Sequence, residues 1–209
     1  MKKSTKFLLS ILVSLSLYAC FSQSSLVISE TDDYIVPVPV IYQDSDIKSV
    51  YFEQPVQEGN YDVTYCFGDE KERTINWVKA EGRRYMLDRI VTEPGQFISK
   101  TFTVNTRTNQ LKDGSRVRMR QDEGSFPRWD GRLTLHVMSD HPSKVSVPVI
   151  KRNEQAVTIY LAGDSTVTDQ KSEPWASWGL MLPAFFRKGY AVANHAESGI
   201  TFRILCKKC

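Results

Sequence analysis

The stretch LAGDSTVTDQ, residues 161–170, sets Ser165 between Asp164 and Thr166, directly after Gly163 and a β-branched run. A serine just past the carboxyl end of a buried strand lies where open α/β sheets present groups to a ligand. Its own amide, entering a turn, can donate to an oxyanion. The chemistry open to such a serine is nucleophilic attack on an acyl carbon. That requires a base to take its proton, because a hydroxyl is a weak nucleophile at neutral pH. A plain turn or a helix cap accounts for Gly-Asp-Ser equally well. Three histidines are available as bases: His136, His141 and His195. His136 alternates with Leu135 and Val137, and His141 sits in the polar turn SDHPSK, so both read as solvated surface residues. His195 closes the run YAVANH. No cluster has the spacing of a metal site, so no metal and no other cofactor is expected.

The elements that must position Ser165 follow two different patterns. Over 48–150 the signature is period two. YDVTYCF sends Tyr61, Val63, Tyr65 and Phe67 to one face and Asp62, Thr64 and Cys66 to the other. FISKTFTVN alternates Ile98, Phe102 and Val104 with Ser99, Thr101 and Thr103. RVRMR and RLTLHVM repeat the device, the second burying Leu133, Leu135 and Val137. The turn clusters GDEKER, EPGQ and KDGS punctuate these runs at hairpin-like spacing. Together they predict an all-β antiparallel sandwich. Ahead of it, over 21–47, Pro37 and Pro39 forbid a central strand but permit an edge or a connector.

From 156 to 209 the pattern changes, after a short polar joint at 151–155. AVTIYL is nearly continuous apolar sequence, which predicts a strand buried on both faces of a parallel sheet. EPWASWGLMLPAFFRK spaces Trp175, Trp178, Leu182 and Phe185 as a helix, with Pro174 in its first turn and Pro183 as a kink. YAVANHAESG reads as a second buried strand. Strand, helix and strand form the first βαβ unit of an incomplete α/β domain. Two strands and one helix cannot cover a sheet on both sides, so this segment must lean on the sandwich to fold.

The 209 residues carry 24% charged and 41% hydrophobic side chains, an ordinary globular balance. Residues 1–20 read as a signal peptide: Lys2, Lys3 and Lys6 precede an apolar run too short to span a bilayer. LYAC also resembles a bacterial lipobox, in which Cys20 is lipidated; simple secretion is the alternative. Loss of the leader takes the formal charge from +3 to zero. No basic patch suited to nucleic acid remains. Cys66 is expected to be a buried free thiol rather than a disulfide partner. The Cys206/Cys209 pair is expected to bind no metal, since C-x-x-C alone is weak evidence.

IYLAGDSTVTDQ, PWASWGLMLPAFF and AVANHAESG, in that order and at that spacing, resemble the start of the rhamnogalacturonan acetylesterase branch of the SGNH (GDSL-type) hydrolases, whose domain is flavodoxin-like. The likeness covers 157–199. More loosely, FTVNTRT followed by RWDGRLTLHV resembles the accessory β-sandwich found ahead of such esterase domains. The resemblance implies that Ser165 attacks an acetyl ester, that Gly163 and Asp164 shape its turn, and that the Gly199 N–H joins that of Ser165 in an oxyanion hole. The family's oxyanion asparagine and its catalytic Asp and His have no counterpart in ITFRILCKKC, which follows Ser198 and Gly199. The tail reads as the product of a frameshift or premature stop.

The expectation is therefore a truncated carbohydrate esterase, monomeric, secreted, periplasmic or lipid-anchored at a bacterial envelope. Its partner would be acetylated plant pectic polysaccharide and not nucleic acid, and the chain as written would be inactive. The alternative is a carbohydrate-binding sandwich that stacks sugars on Trp77 and Trp129 beside Asp130; a place for those tryptophans in the core is the competing reading.

Overall fold

The computed structural model describes residues 34–35, 38–40, 49–110, 113–117 and 129–199. The leader with Cys20, most of RVRMR, and the tail with Cys206 and Cys209 lie outside them. Eleven strands are described, nine of them in two antiparallel sheets. The first sheet runs β1 (Tyr34–Ile35), β9 (Val149–Arg152), β4 (Gly59–Phe67) and β7 (Ile98–Thr106). The second runs β2 (Val38–Val40), β3 (Ser49–Pro55), β8 (Arg132–Ser139), β5 (Thr74–Ala80) and β6 (Arg84–Thr92). β1 and β2 occupy edges, the positions at which proline's missing N–H breaks no ladder.

The period-two residues make the core. Tyr61, Val63, Tyr65 and Phe67 from β4 and Leu133, Leu135 and Val137 from β8 join Phe52, Val78, Phe102, Val104 and Ile150 in one buried cluster. Tyr65 stacks on Phe67 and Phe102, with centroids 5.4 and 6.5 Å apart. GDEKER and EPGQ do not close hairpins, contrary to their spacing. They carry the chain from β4 to β5 and from β6 to β7, each time between sheets. Asp69 orders both connections, its carboxylate accepting from the Lys71 and Glu72 amides and its carbonyl from Gly95 N–H.

Two other expectations are corrected here. Cys66 is disulfide-bonded, not a free thiol; its strand phase turns it away from the apolar cluster, so it was never needed there as a small hydrophobe. His136 does face outward but is not solvated. Its ring stacks on Tyr51 at 4.3 Å and its Nε2 lies 2.9 Å from Ser49 Oγ, and burial, helped by the nearby Lys79 charge, lowers its pKa to about 4.

β10 (Val157–Leu161) and β11 (Tyr190–Asn194) pair in parallel, Val157 opposite Tyr190 and Leu161 opposite Asn194. β11 is buried, but β10 is not covered on both faces: Val157 is 53% and Tyr160 66% exposed. Between them the α-helix is one turn, α1 (Trp178–Met181), followed by a 3-10 turn, Leu182–Phe185. Ser177 caps α1 by accepting from Leu180 N–H at 3.2 Å, so Pro174 and Trp175 precede the helix. Pro183, without an N–H, stops the α-ladder from continuing. The buried side is consequently Gly179, Leu180 and Pro183, while Trp175, Trp178 and Phe185 are exposed. Among the described residues no helix is long and apolar enough to cross a membrane.

The second segment rests on the outer face of the first sheet. Thr103 and Asn105, polar positions on the outward side of β7, are buried beneath it. Thr103 Oγ1 donates to Asp62 at 2.6 Å and accepts from Gly189 N–H at 2.8 Å. Asn60 Nδ2 reaches Thr158 Oγ1 at 2.8 Å, and Lys188 Nζ lies 3.3 Å from Asp62.

Candidate functional site

Ser165 occupies the tight turn that leaves β10. The Val167 and Thr168 amides donate to Asp164 O at 3.1 and 3.0 Å, and Asp164 Oδ1 accepts from Thr166 N and Oγ1 at 2.9 and 2.8 Å. Those bonds from Thr166 hold the Asp164 carboxyl below its ordinary pKa. The turn needs Gly163, because a Cβ there would lie 2.5 Å from Val167 Cγ2. Gly163 O also accepts from Glu197 N–H at 3.0 Å, tying the turn to the loop after β11.

Ser165 is exposed on an open cleft of about 810 Å³ whose walls include Trp175, Trp178, Met181 and Ser198. Gly199, next to Ser198, has φ 78, in the left-handed region that glycine tolerates. Trp175 and Trp178, 68% and 52% exposed, give the cleft two aromatic surfaces. Among the described residues no hydrogen bond engages the Ser165 hydroxyl, and none of the three histidines lines the cleft. His195 has its amide bonded to Leu161 O and its Nδ1 3.3 Å from Ala193 O, with the rings of Trp129 and Tyr160 each 5.7 Å away. Burial lowers its pKa. His141 lies in its turn, its amide donating to Ser139 Oγ. No group of three or more His, Cys, Asp or Glu able to hold a metal occurs among the described residues.

Trp77 is half-buried on the outward side of β5, opposite Met138, and so outside the core. Trp129 has its ring against the Arg107 guanidinium, 4.1 Å from the centroid, and against His195. Asp130 accepts from Arg132 N–H at 3.0 Å within its own turn.

Sequence reasoning missed the polar cluster beneath Ser165. Asp169, fully buried, takes Arg84 Nε at 3.0 Å and Arg107 Nη2 at 3.2 Å on Oδ2, and Asn194 Nδ2 at 2.8 Å on Oδ1. Asn194 Nδ2 also donates to Val167 O at 2.6 Å. One readable signal existed: Arg84 shares the inward phase of β6 with Met86, an unexpected place for a charge.

Beside Arg84, Glu81 is 1% exposed at φ 49, its carboxylate accepting from Thr134 N–H at 3.1 Å. Burial raises its pKa from 4.5 to about 8, against the pull of Arg84. The folded protein thus keeps this proton where the unfolded chain has lost it. Stability should therefore fall as pH rises from about 4.5 and level off above about 8. Glu81→Gln keeps an acceptor for Thr134 and is expected to flatten that decline. Melting temperatures across this range check it; identical slopes in the two proteins would refute the assignment.

No protein-family model matches the chain, and no curated protein matches it. Among solved structures it is similar to the crystal structure of protein YXIM of Bacillus subtilis, at 22% identity, over 75% of this chain and 38% of that one, with a TM-score of 0.26. A likeness at that score carries no argument about fold or function.

Proposed function

We propose that the chain carries the nucleophile half of an exported carbohydrate esterase of the rhamnogalacturonan acetylesterase type. In this reading the α/β segment is the opening βαβ unit of an SGNH hydrolase domain. Ser165 attacks the acetyl carbon, and the Ser165 and Gly199 amides receive the oxyanion. The observation that carries the reading is an exposed serine hydroxyl, unengaged among the described residues, at the carboxyl end of a strand in a parallel pair, on a cleft with two exposed indoles. Sugar rings present apolar C–H faces that stack on such surfaces. The partner is therefore acetylated pectic polysaccharide, bound by the cleft rather than by Trp77 and Trp129, and the leader, with or without a lipid on Cys20, directs the chain out of the cytoplasm.

Turnover is a separate matter. Among the described residues no imidazole lies on the cleft to accept its proton, so Ser165 loses the activation that a triad provides. The 209-residue chain is expected to migrate more slowly in gels containing acetylated rhamnogalacturonan than in plain gels. Trp175→Ala combined with Trp178→Ala, which removes both exposed indoles, should abolish that retardation. Hydrolysis of p-nitrophenyl acetate should stay near the buffer rate and be little changed in Ser165→Ala. Absence of retardation would remove the substrate class; fast Ser165-dependent hydrolysis would overturn the absence of a base.

A further inference from the structure

The 164–178 loop is held by its own hydrogen bonds and, in addition, by side chains that reach it from both sheets. Arg84 opens β6 in the five-stranded sheet, and Arg107 follows β7 in the four-stranded sheet. Both are buried, at 1% and 5% exposure, and both reach Asp169. Arg84 Nη1 also donates to Asn105 O at 2.8 Å and to Val192 O at 3.3 Å, and Arg107 Nη2 donates to Asn194 O. Arg83, next in the chain to Arg84, holds the other end of the loop: its Nη1 donates to Trp175 O at 2.8 Å and Gln170 O at 3.3 Å. We propose that the β-sandwich is a working part of the Ser165 site, in which Arg84 and Arg107 are positioning residues that act through Asp169 to hold Ser165 and its cleft in place.

Stability alone does not explain such a cluster. Burying ions is costly, and apolar replacements of similar volume are often neutral or better. Here Arg84 Nη2 and Arg107 Nε are buried with no hydrogen-bond partner among the described residues. What the arrangement supplies is geometry. One guanidinium from each sheet meets on a single carboxylate oxygen, and the other oxygen takes the Asn194 amide that also holds Val167 O, two residues from Ser165. The inference goes beyond the esterase reading and does not depend on it, because it concerns where Ser165 is held and not what it attacks.

Amide-resolved hydrogen exchange on the full chain tests it without needing turnover. In Arg84→Met and in Arg107→Met, the Val167, Thr168 and Trp178 amides, bonded to Asp164 O and Thr166 O, are expected to exchange at least tenfold faster. The Phe52 and Leu135 amides of the sandwich should keep their protection. Arg84→Lys, which retains a charge toward Asp169, should recover part of the loop's protection. If either methionine variant does not fold, Asp169→Asn decides, since it changes the loop and leaves both arginines in the sandwich; the same selective loosening is expected. Unchanged exchange in the loop, or equal acceleration in loop and sandwich, would overturn the proposal.

Discussion

Gly179→Ala is expected to dislodge α1 and open the Ser165 cleft while the sandwich stays folded. Helix propensity argues the other way, since alanine for glycine inside a helix is worth up to about 1 kcal/mol. The local packing outweighs it. A Cβ at 179 would lie 2.0 Å from Val167 O and 2.7 Å from Asn194 Nδ2, distances no rotamer change can relieve because one partner is backbone. Val167 O is already engaged by Asn194 Nδ2 and by Ser177 Oγ, the residue that caps α1. The helix must retreat, losing the Trp178 N–H bond to Thr166 O. Overpacking of this kind costs about 1–3 kcal/mol, occasionally more. Acrylamide quenching of tryptophan fluorescence should rise through Trp178, with the far-ultraviolet signature of the sandwich retained. A variant as stable as the parent, with unaltered quenching, would show that α1 is not seated as described.

Leu135→Ala should act on the whole molecule. Leu135 is fully buried in β8, flanked across the ladder by Phe52 on β3 and by Ala80 on β5. Ala80 is too small to fill a void beside it, so the cavity should persist, and leucine-to-alanine changes at such sites cost about 2–5 kcal/mol. Set against the total of about 5–15 kcal/mol typical of a domain, that is a large share. Because β11 and the Ser165 loop rest on the sandwich through Thr103, Arg84 and Arg107, both segments should be lost in one urea transition at a lower midpoint. A change below about 1 kcal/mol, or two separated transitions, would contradict this core and this docking.

Much of the sandwich was legible because alternation is a local code. Tyr61 to Phe67 and Leu133 to Val137 face the core in the phase their sequence dictates, since successive side chains on a strand must point to opposite faces. Pro39 excluded a central strand while leaving an edge or a connector open, and the strand that holds it lies at an edge. Ser165 was legible as a turn residue following a strand, because Gly163 and Asp164 write that turn within three residues. Local code failed where the outcome depended on what arrives from elsewhere. Trp175, Trp178 and Phe185 share a helical spacing, yet the Ser177 cap and Pro183 shorten the helix and bury Gly179 and Leu180 instead. Thr103 and Asn105 are polar, and the sequence does not reveal that β11 will cover them.

The sequence by itself determined which residues could enter the core of the sandwich, that no central strand could run through Pro37 and Pro39, and that a serine follows the first strand of the second segment. Side-chain periodicity and turn chemistry are set by near neighbours, and near neighbours are written in order. Tertiary structure alone decided which face of the sandwich β11 covers, burying Thr103 and Asn105, and that Arg84 and Arg107 meet Asp169. These depend on charges and surfaces separated by 62 to 85 positions finding one another in a dry interior. There an ion must be paired, and nothing in the local sequence names the partner.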